Sequence, residues 1–140
     1  MDAFDADVLI YAAAATPLGQ PVLALLDAAA RASEAGIAGI GSVLLVPEVL
    51  SKPLRDEAQT ELQALGALLG RLDLRPVDPA TAQLAAAVGA NYRLKAADSV
   101  HLATAVLAGA DRFITNNRRD FTQSIGEIDV VYPDDLLGAG

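Results

Sequence analysis

With 140 residues, 53% of them hydrophobic, the chain is long enough to bury one continuous core without staples. It has no cysteine and one histidine, His101, which excludes disulfides, thiolate metal centres and any site needing two histidines from one chain. Eighteen acids against ten bases give a formal charge of −8, which argues against a broad nucleic-acid-binding surface but leaves room for a local basic patch or a carboxylate-held cation.

Phe4 belongs to a first strand, and residues 7–15 read as a short helix with an acid in its first turn, where free backbone N–H groups favour negative charge. Pro17 opens a second helix in which Val22, Leu25, Leu26 and Ala29 recur at helical spacing until Gly36 stops it. Residues 37–40 form a short apolar strand weakened by two glycines. Ser42 is placed as the N-cap of a helix carrying Val46, Val49 and Leu50, with Pro47 inside its first few positions. Residues 55–72 read as one helix with a face of Leu62, Leu65, Leu68, Leu69 and Leu72. A strand follows at 74–77, then a helix from Pro79 through Val88 towards Tyr92, and another over 96–108 ended by Gly109. Residues 112–115 read as a strand, 116–120 as a loop and 128–132 as the last strand. Strands separated by helices predict a mainly parallel sheet covered on both faces.

On that map Asp5 follows the first strand, Glu48 lies in the helix after the second, Asp98 begins the 96–108 helix, and Asn116, Asn117 and Asp120 follow a later strand. Groups just beyond the carboxyl ends of parallel strands converge where the strand order reverses, so one crevice can gather them all. Hard divalent cations take several carboxylate oxygens, and buried acids are costly without a partner. Each acid taken singly reads equally as a helix cap or a solvent-facing group. Glycines 36, 39 and 41 have the wrong spacing for a phosphate-cradling loop. Lys52, Arg55, Arg93, Lys95, Arg112, Arg118 and Arg119 fall within a few residues of an acid or a strand edge, which for most of them means ordinary solvated surface. No basic segment precedes an apolar signal core, and no apolar run reaches the roughly 18 to 20 residues of a membrane span. The expectation is a soluble cytoplasmic protein with one domain over 1–137 and a flexible tail over 138–140.

The blocks Asp5-Ala6-Asp7-Val8-Leu9-Ile10-Tyr11, Val46-Pro47-Glu48-Val49-Leu50, Ala97-Asp98-Ser99-Val100-His101-Leu102-Ala103-Thr104-Ala105 and Ile114-Thr115-Asn116-Asn117-Arg118-Arg119-Asp120-Phe121, in this order and spacing, resemble the PIN-domain ribonucleases. Within that family the chain looks like the VapC-like toxins of prokaryotic toxin–antitoxin pairs. The resemblance implies a three-layer α/β/α fold around a mainly parallel sheet and a metal-dependent endoribonuclease hydrolysing RNA phosphodiester bonds. It implies Asp5, Glu48 and Asp98 as the first, second and third acids. Asp5 and Asp98 are the leading ligands for Mg²⁺ or Mn²⁺, with Glu48 binding directly or through water.

The chain also departs from the family pattern. Asp7 stands where asparagine is common and is read as a helix cap; Asn116 and Asn117 stand where many relatives place an aspartate, which leaves Asp120 as the candidate fourth catalytic acid. Asp120-Phe121 resembles a family turn whose aromatic packs inward. Thr115 and Asn116 can position a phosphate or a metal-bound water, Asn117 fits a loop-forming role, and His101 is read as a packed structural histidine. The implied partners are RNA, a cognate antitoxin protein and a second copy of the chain, the last also allowed by the Ala- and Leu-rich helices between Val22 and Leu72. The alternative is a catalytically inactive PIN-fold protein acting through protein or RNA binding.

Overall fold

Strand alternation sends adjacent residues to opposite faces of a sheet, and here it divides the core in two. In the computed structural model, which describes residues 1–137, the first strand β1 (Ala3–Phe4) sends Ala3 to one face and Phe4 to the other. Phe4 packs with Val8, Leu9, Leu26 and Leu45; Ala3 packs with Leu102, Phe113 and Phe121.

The helices that supply the Phe4 side are α1 (Ala6–Ala13), α2 (Gly19–Ala32), α3 (Leu45–Arg55) and α4 (Gln59–Leu69). Those on the Ala3 side are α5 (Pro79–Tyr92) and α6 (Ala96–Leu107). Between them lie β1, β2 (Gly39–Ser42), β3 (Leu72–Arg75), β4 (Arg112–Ile114) and β5 (Asp129–Val131), in the order β3-β2-β1-β4-β5 with every neighbouring pair parallel. This is the expected three-layer α/β/α arrangement. A short α7 (Pro133–Leu137), absent from the sequence reading, adds Leu136 to the Phe4 side. From β1 the chain first builds outward through β2 to β3, then returns to place β4 on the other flank of β1. The order therefore reverses between β1 and β4.

The two glycines that weaken β2 as a strand have a packing reason. A Cβ on Gly39 would lie 2.4 Å from Phe4 Cε2, and one on Gly41 would lie 2.4 Å from Leu45 Cδ1. Large side chains of the Phe4 cluster lie directly over that face of β2.

Four local expectations are corrected. Ser42 ends β2 rather than capping α3; its Oγ accepts from the Leu44 N–H at 3.1 Å, and Leu44 takes the N-cap position. Residues 55–72 are two elements, because the chain turns through Asp56 to Ala58 with Glu57 in the left-handed region at φ 52°. The strand expected at 74–77 lies at Leu72–Arg75, where the ladder with β2 pairs Gly39 with Leu72 and Ser42 with Arg75. The first helix begins at Ala6, and Asp5 is its cap. The tail over 138–140 lies outside the described residues. Among those described, no helix is long and apolar enough to cross a membrane.

Candidate active site

The reversal of strand order puts the ends of β1 and β4 side by side. The Asp5 N–H donates to Ile114 O at 2.9 Å, so the residue after β1 is held against the last residue of β4. Extended backbone at Asp5 (φ −81°, ψ 163°) turns its carboxylate onto the start of α1, where Oδ1 accepts from the Ala6 N–H at 2.8 Å. Oδ2 accepts from Thr115 Oγ at 2.8 Å. Asp5 is 5% exposed and Thr115 0%. A carboxylate oxygen has two acceptor positions, so each Asp5 oxygen keeps one beyond these contacts.

Asp7 has a different role from the expected cap. Its Oδ2 accepts from the Asn116 N–H at 3.1 Å, tying α1 to the loop after β4, while Oδ1 is buried without a hydrogen-bond partner among the described residues. Asn116 enters this arrangement through its backbone. Asn117 and Asp120 lock that loop: Asn117 Nδ2 donates to Asp120 Oδ2 at 3.1 Å, and the Asp120 N–H donates back to Asn117 Oδ1 at 3.3 Å. Phe121 anchors it from below, fully buried and edge-on to Phe113 with ring centroids 4.9 Å apart.

Glu48 lies in the first turn of α3 and Asp98 in the first turn of α6. The Glu48 Oε1 is 3.0 Å from His101 Nε2, a contact between residues 53 apart in the chain. His101 is buried as expected of a structural histidine, yet it holds a site acid, and its Nδ1 has no partner among the described residues. The sequence signal for a place near the site was available, since His101 is three residues after Asp98 on the same side of one helix; its contact with Glu48 was not.

The electrostatics bind these groups into one unit. Burial pushes the Asp5 carboxyl above its usual range; hydrogen bonds from Thr115 and Ala6 and the His101 charge oppose the rise, and the Glu48 charge adds to it. Burial, then repulsion from Asp5 and Asp98, pushes Asp7 up to about 7 against hydrogen bonds to the backbone of Asn116 and Val8. Asp98 is raised by burial and by the charges of Asp5, Asp120 and Glu48. For His101, burial disfavours the imidazolium, but the hydrogen bond to Glu48 and the charges of Glu48, Asp5 and Asp98 outweigh it and raise the pKa.

Asp5, Glu48 and Asp120 thus lie within electrostatic reach of Asp98. Among the described residues, however, no three of the acid and histidine side chains stand in a metal-holding arrangement as placed. The donor chemistry nevertheless fits a hard divalent ion: carboxylates whose crowding raises their proton affinity, and a buried Asp7 oxygen without a donor.

Comparison with known proteins agrees with this geometry. The PIN domain profile matches residues 3–124, a span that takes in Asp5, Glu48, Asp98 and Asp120. The chain belongs to the PIN-domain family. A solved toxin–antitoxin complex from Klebsiella pneumoniae contains a chain of the same fold, with a TM-score of 0.70, 23% identity, and coverage of 95% of this PIN domain protein and 98% of that chain. A chain in the crystal structure of VapBC2 from Rickettsia felis, bound to a DNA fragment from their promoter, superposes with a TM-score of 0.74 at 14% identity, covering 94% and 97%. No curated protein sequence matches the chain.

Proposed function

We propose that this PIN-domain protein is a metal-dependent endoribonuclease and the toxin of a toxin–antitoxin pair. The observation that carries the reading is the placement of Asp5, Glu48 and Asp98 about the carboxyl ends of the strands, where burial and then the charges of Asp5 and Glu48 raise Asp98, and burial and the Glu48 charge raise Asp5. Groups so arranged gain from a cation and lose without one. Asp5 and Asp98, with Glu48 directly or through water, would hold Mg²⁺ or Mn²⁺. Such an ion, when bound, neutralises charge on phosphate oxygens and makes a water more acidic.

The chain's own groups supply the rest. Thr115 and the α1 N-terminus fix the orientation of Asp5, and His101 fixes that of Glu48. Asp120, held by Asn117, adds negative charge next to Asp98. In the hydrolysis a water oxygen bonds to phosphorus as the bond from phosphorus to the leaving oxygen breaks. The water gives up a proton and the leaving oxygen takes one. Single-stranded or loop RNA fits an open strand edge better than a duplex does.

A defined RNA oligonucleotide incubated with Mg²⁺ or Mn²⁺, with EDTA and with Asp5→Ala, tests the nuclease reading. Cleavage that needs the metal and Asp5 is expected; equal cleavage by both proteins, or none over a broad panel of RNAs, sinks it. The open placement of the carboxylates favours a second reading, a catalytically inactive PIN-fold protein acting through protein or RNA binding, and the same assay separates the two.

Two partners belong to the proposal. The two solved relatives, one from a toxin–antitoxin complex and one from VapBC2, support a cognate antitoxin here, and an antitoxin Arg or Lys entering the carboxylate cluster would compete with the cation. Co-purification from the native operon, followed by cleavage assays with and without the small partner, checks this. A homodimer is the second, and a strictly monomeric species in light scattering at rising concentration removes it.

A further inference from the structure

The bases of this acidic chain are unevenly engaged. Of its ten Lys and Arg residues, Arg55, Arg71, Arg75, Arg112 and Arg118 form ion pairs. Arg118 also stacks on the Tyr132 ring, 4.6 Å from its centroid. Lys52, Arg93, Lys95, Arg119 and Arg31 form none among the described residues. Half of the bases are thus without an acid partner among the described residues, although acids outnumber bases eighteen to ten.

Four of those five lie within five residues of Glu48, Asp98 or Asp120 along the chain. Lys52 follows Glu48 by one helical turn of α3, a spacing that puts both side chains on one face. Lys95 is the N-cap residue of α6 and Asp98 is in that helix's first turn, so the two are near neighbours. Arg93 lies at the corner joining α5 to α6, and Arg119 immediately precedes Asp120 in the loop after β4. All four are exposed. The fifth, Arg31, is in the last turn of α2, on the way into β2 and so at the opposite edge of the sheet.

Arg93 closes α5 in the left-handed region, at φ 56° and ψ 43°, as Ala15 and Glu57 do at other turns of the chain. Glycine suits such a backbone, so an Arg93→Gly change removes the cation without straining the fold.

We infer that Lys52, Arg93, Lys95 and Arg119 form a cationic rim that binds the phosphodiester backbone of single-stranded RNA on either side of the acidic crevice. The inference rests on the nuclease reading and deepens it. A polyanion approaching Asp5, Glu48 and Asp98 on a chain of charge −8 is repelled, and productive binding needs positive charge placed outside the carboxylates. The four bases come from three separate segments, which suits an extended chain with several phosphates better than one compact anion.

The test is the salt dependence of binding. A labelled single-stranded RNA is titrated with the full chain carrying Asp98→Asn, which removes cleavage from the measurement, across a range of KCl concentrations. Adding K52Q, K95Q and R119Q together is expected to lower the slope of log affinity against log salt by about 2, close to 0.7 per phosphate contact. R93G is expected to lower it by about 0.7 while its melting temperature stays at or above that of the background, which separates a binding role from a folding one. R31Q is expected to leave the slope unchanged.

An unchanged slope in the triple variant, or an equal loss in R31Q, overturns the rim. The two readings fail separately. Metal-dependent cleavage by the wild type with an unchanged slope in the triple variant defeats the rim alone. A slope that falls as expected in a protein whose wild type cleaves no RNA defeats the nuclease alone.

Discussion

The two ends of β1 and β4 treat acids in opposite ways. At the start of these strands Asp2 takes a two-pronged contact from Arg112, with Nε to Oδ1 at 3.0 Å and Nη2 to Oδ2 at 2.7 Å, and the Met1 amine pairs with Asp111. There the hydrogen bond from the chain amine holds the Asp111 carboxyl below its usual range, and the contact with Asp2 raises Arg112. Three residues after Asp2, the carboxylate of Asp5 has hydrogen-bond donors but, among the described residues, no ion pair; the His101 charge opposes its raised pKa without cancelling it, and Asp7 and Asp98 crowd it. One edge is neutralised by the chain itself. The other keeps negative charge buried at a cost, as a site built to take up a cation or a cationic partner does.

The largest effect that sharpens this contrast is at Asp5. Asp5→Asn is expected to lower RNA cleavage at least a hundredfold, in the range that follows loss of a group acting on the reacting centre. Its folding is expected to survive, because the asparagine oxygen can still accept from Ala6 or Thr115 and the buried charge is gone. Cleavage kinetics with a parallel circular-dichroism melt check both halves.

Asp7 gives the next effect, and its sign follows from the direction of its shift. Its ordinary value is 3.8 and its folded value about 7, so between these pH values the folded chain holds a proton that the unfolded chain has released. Stability without divalent metal should therefore be full below about pH 4 and fall as pH rises towards 7. Asp7→Asn removes that fall. Relative to wild type the variant is expected to gain on the order of 2 kcal/mol at pH 8, a shift of this size discounted for partial exposure, and nothing near pH 4. Urea unfolding at several pH values measures it; parallel profiles for the two proteins would break the comparison.

How much of this was legible in the sequence depended on whether the controlling contact was local. Asp5 and Asp98 were readable because their positions, at a strand end and a helix start, are set by short-range pattern. Which of Asp5 and Asp7 caps α1 was not, since that turns on the extended backbone at Asp5 imposed by its bond to Ile114, more than a hundred residues away. The register of β3 was likewise decided by its ladder with β2. The leucines of 55–72 kept a helical rhythm across the turn at Asp56 to Ala58, so periodicity alone hid the break. His101 looked structural because its neighbours are apolar. Its contact with Glu48 joins two helices, and only the folded chain brings them together.

Returning to the neutralised edge, Arg112→Gln leaves Asp2, whose side chain is 15% exposed, without its charged partner. The expected cost is about 1 to 2 kcal/mol, below the figure for a fully buried pair because the guanidinium is itself one-third exposed. RNA cleavage per folded molecule should stay within about twofold, since the pair lies at the far end of the strands. A large loss of cleavage in folded Arg112→Gln would show that the two edges are coupled.

Asp111→Asn should have the smallest effect, and it tests the sign of the contrast. The pair with the Met1 amine is on the surface, with side-chain exposures of 75% and 40%, where solvent and salt screen it. The melting temperature should move by no more than about 2 °C at low salt and not at all in high salt. Because the folded pKa of Asp111 is lowered, whatever it contributes is present at neutral pH and lost as the solution is acidified through that lowered pKa. Asp7 runs the other way, destabilising at neutral pH and harmless in acid. A double variant, Asp7→Asn with Asp111→Asn, should therefore show the pH profile of Asp7→Asn almost unchanged above pH 5, because the exposed pair is too weak to offset a buried charge in α1, beyond the other end of the strands. If the second substitution cancelled the gain at pH 8, the difference between the two strand ends would lie in long-range charge balance rather than in burial.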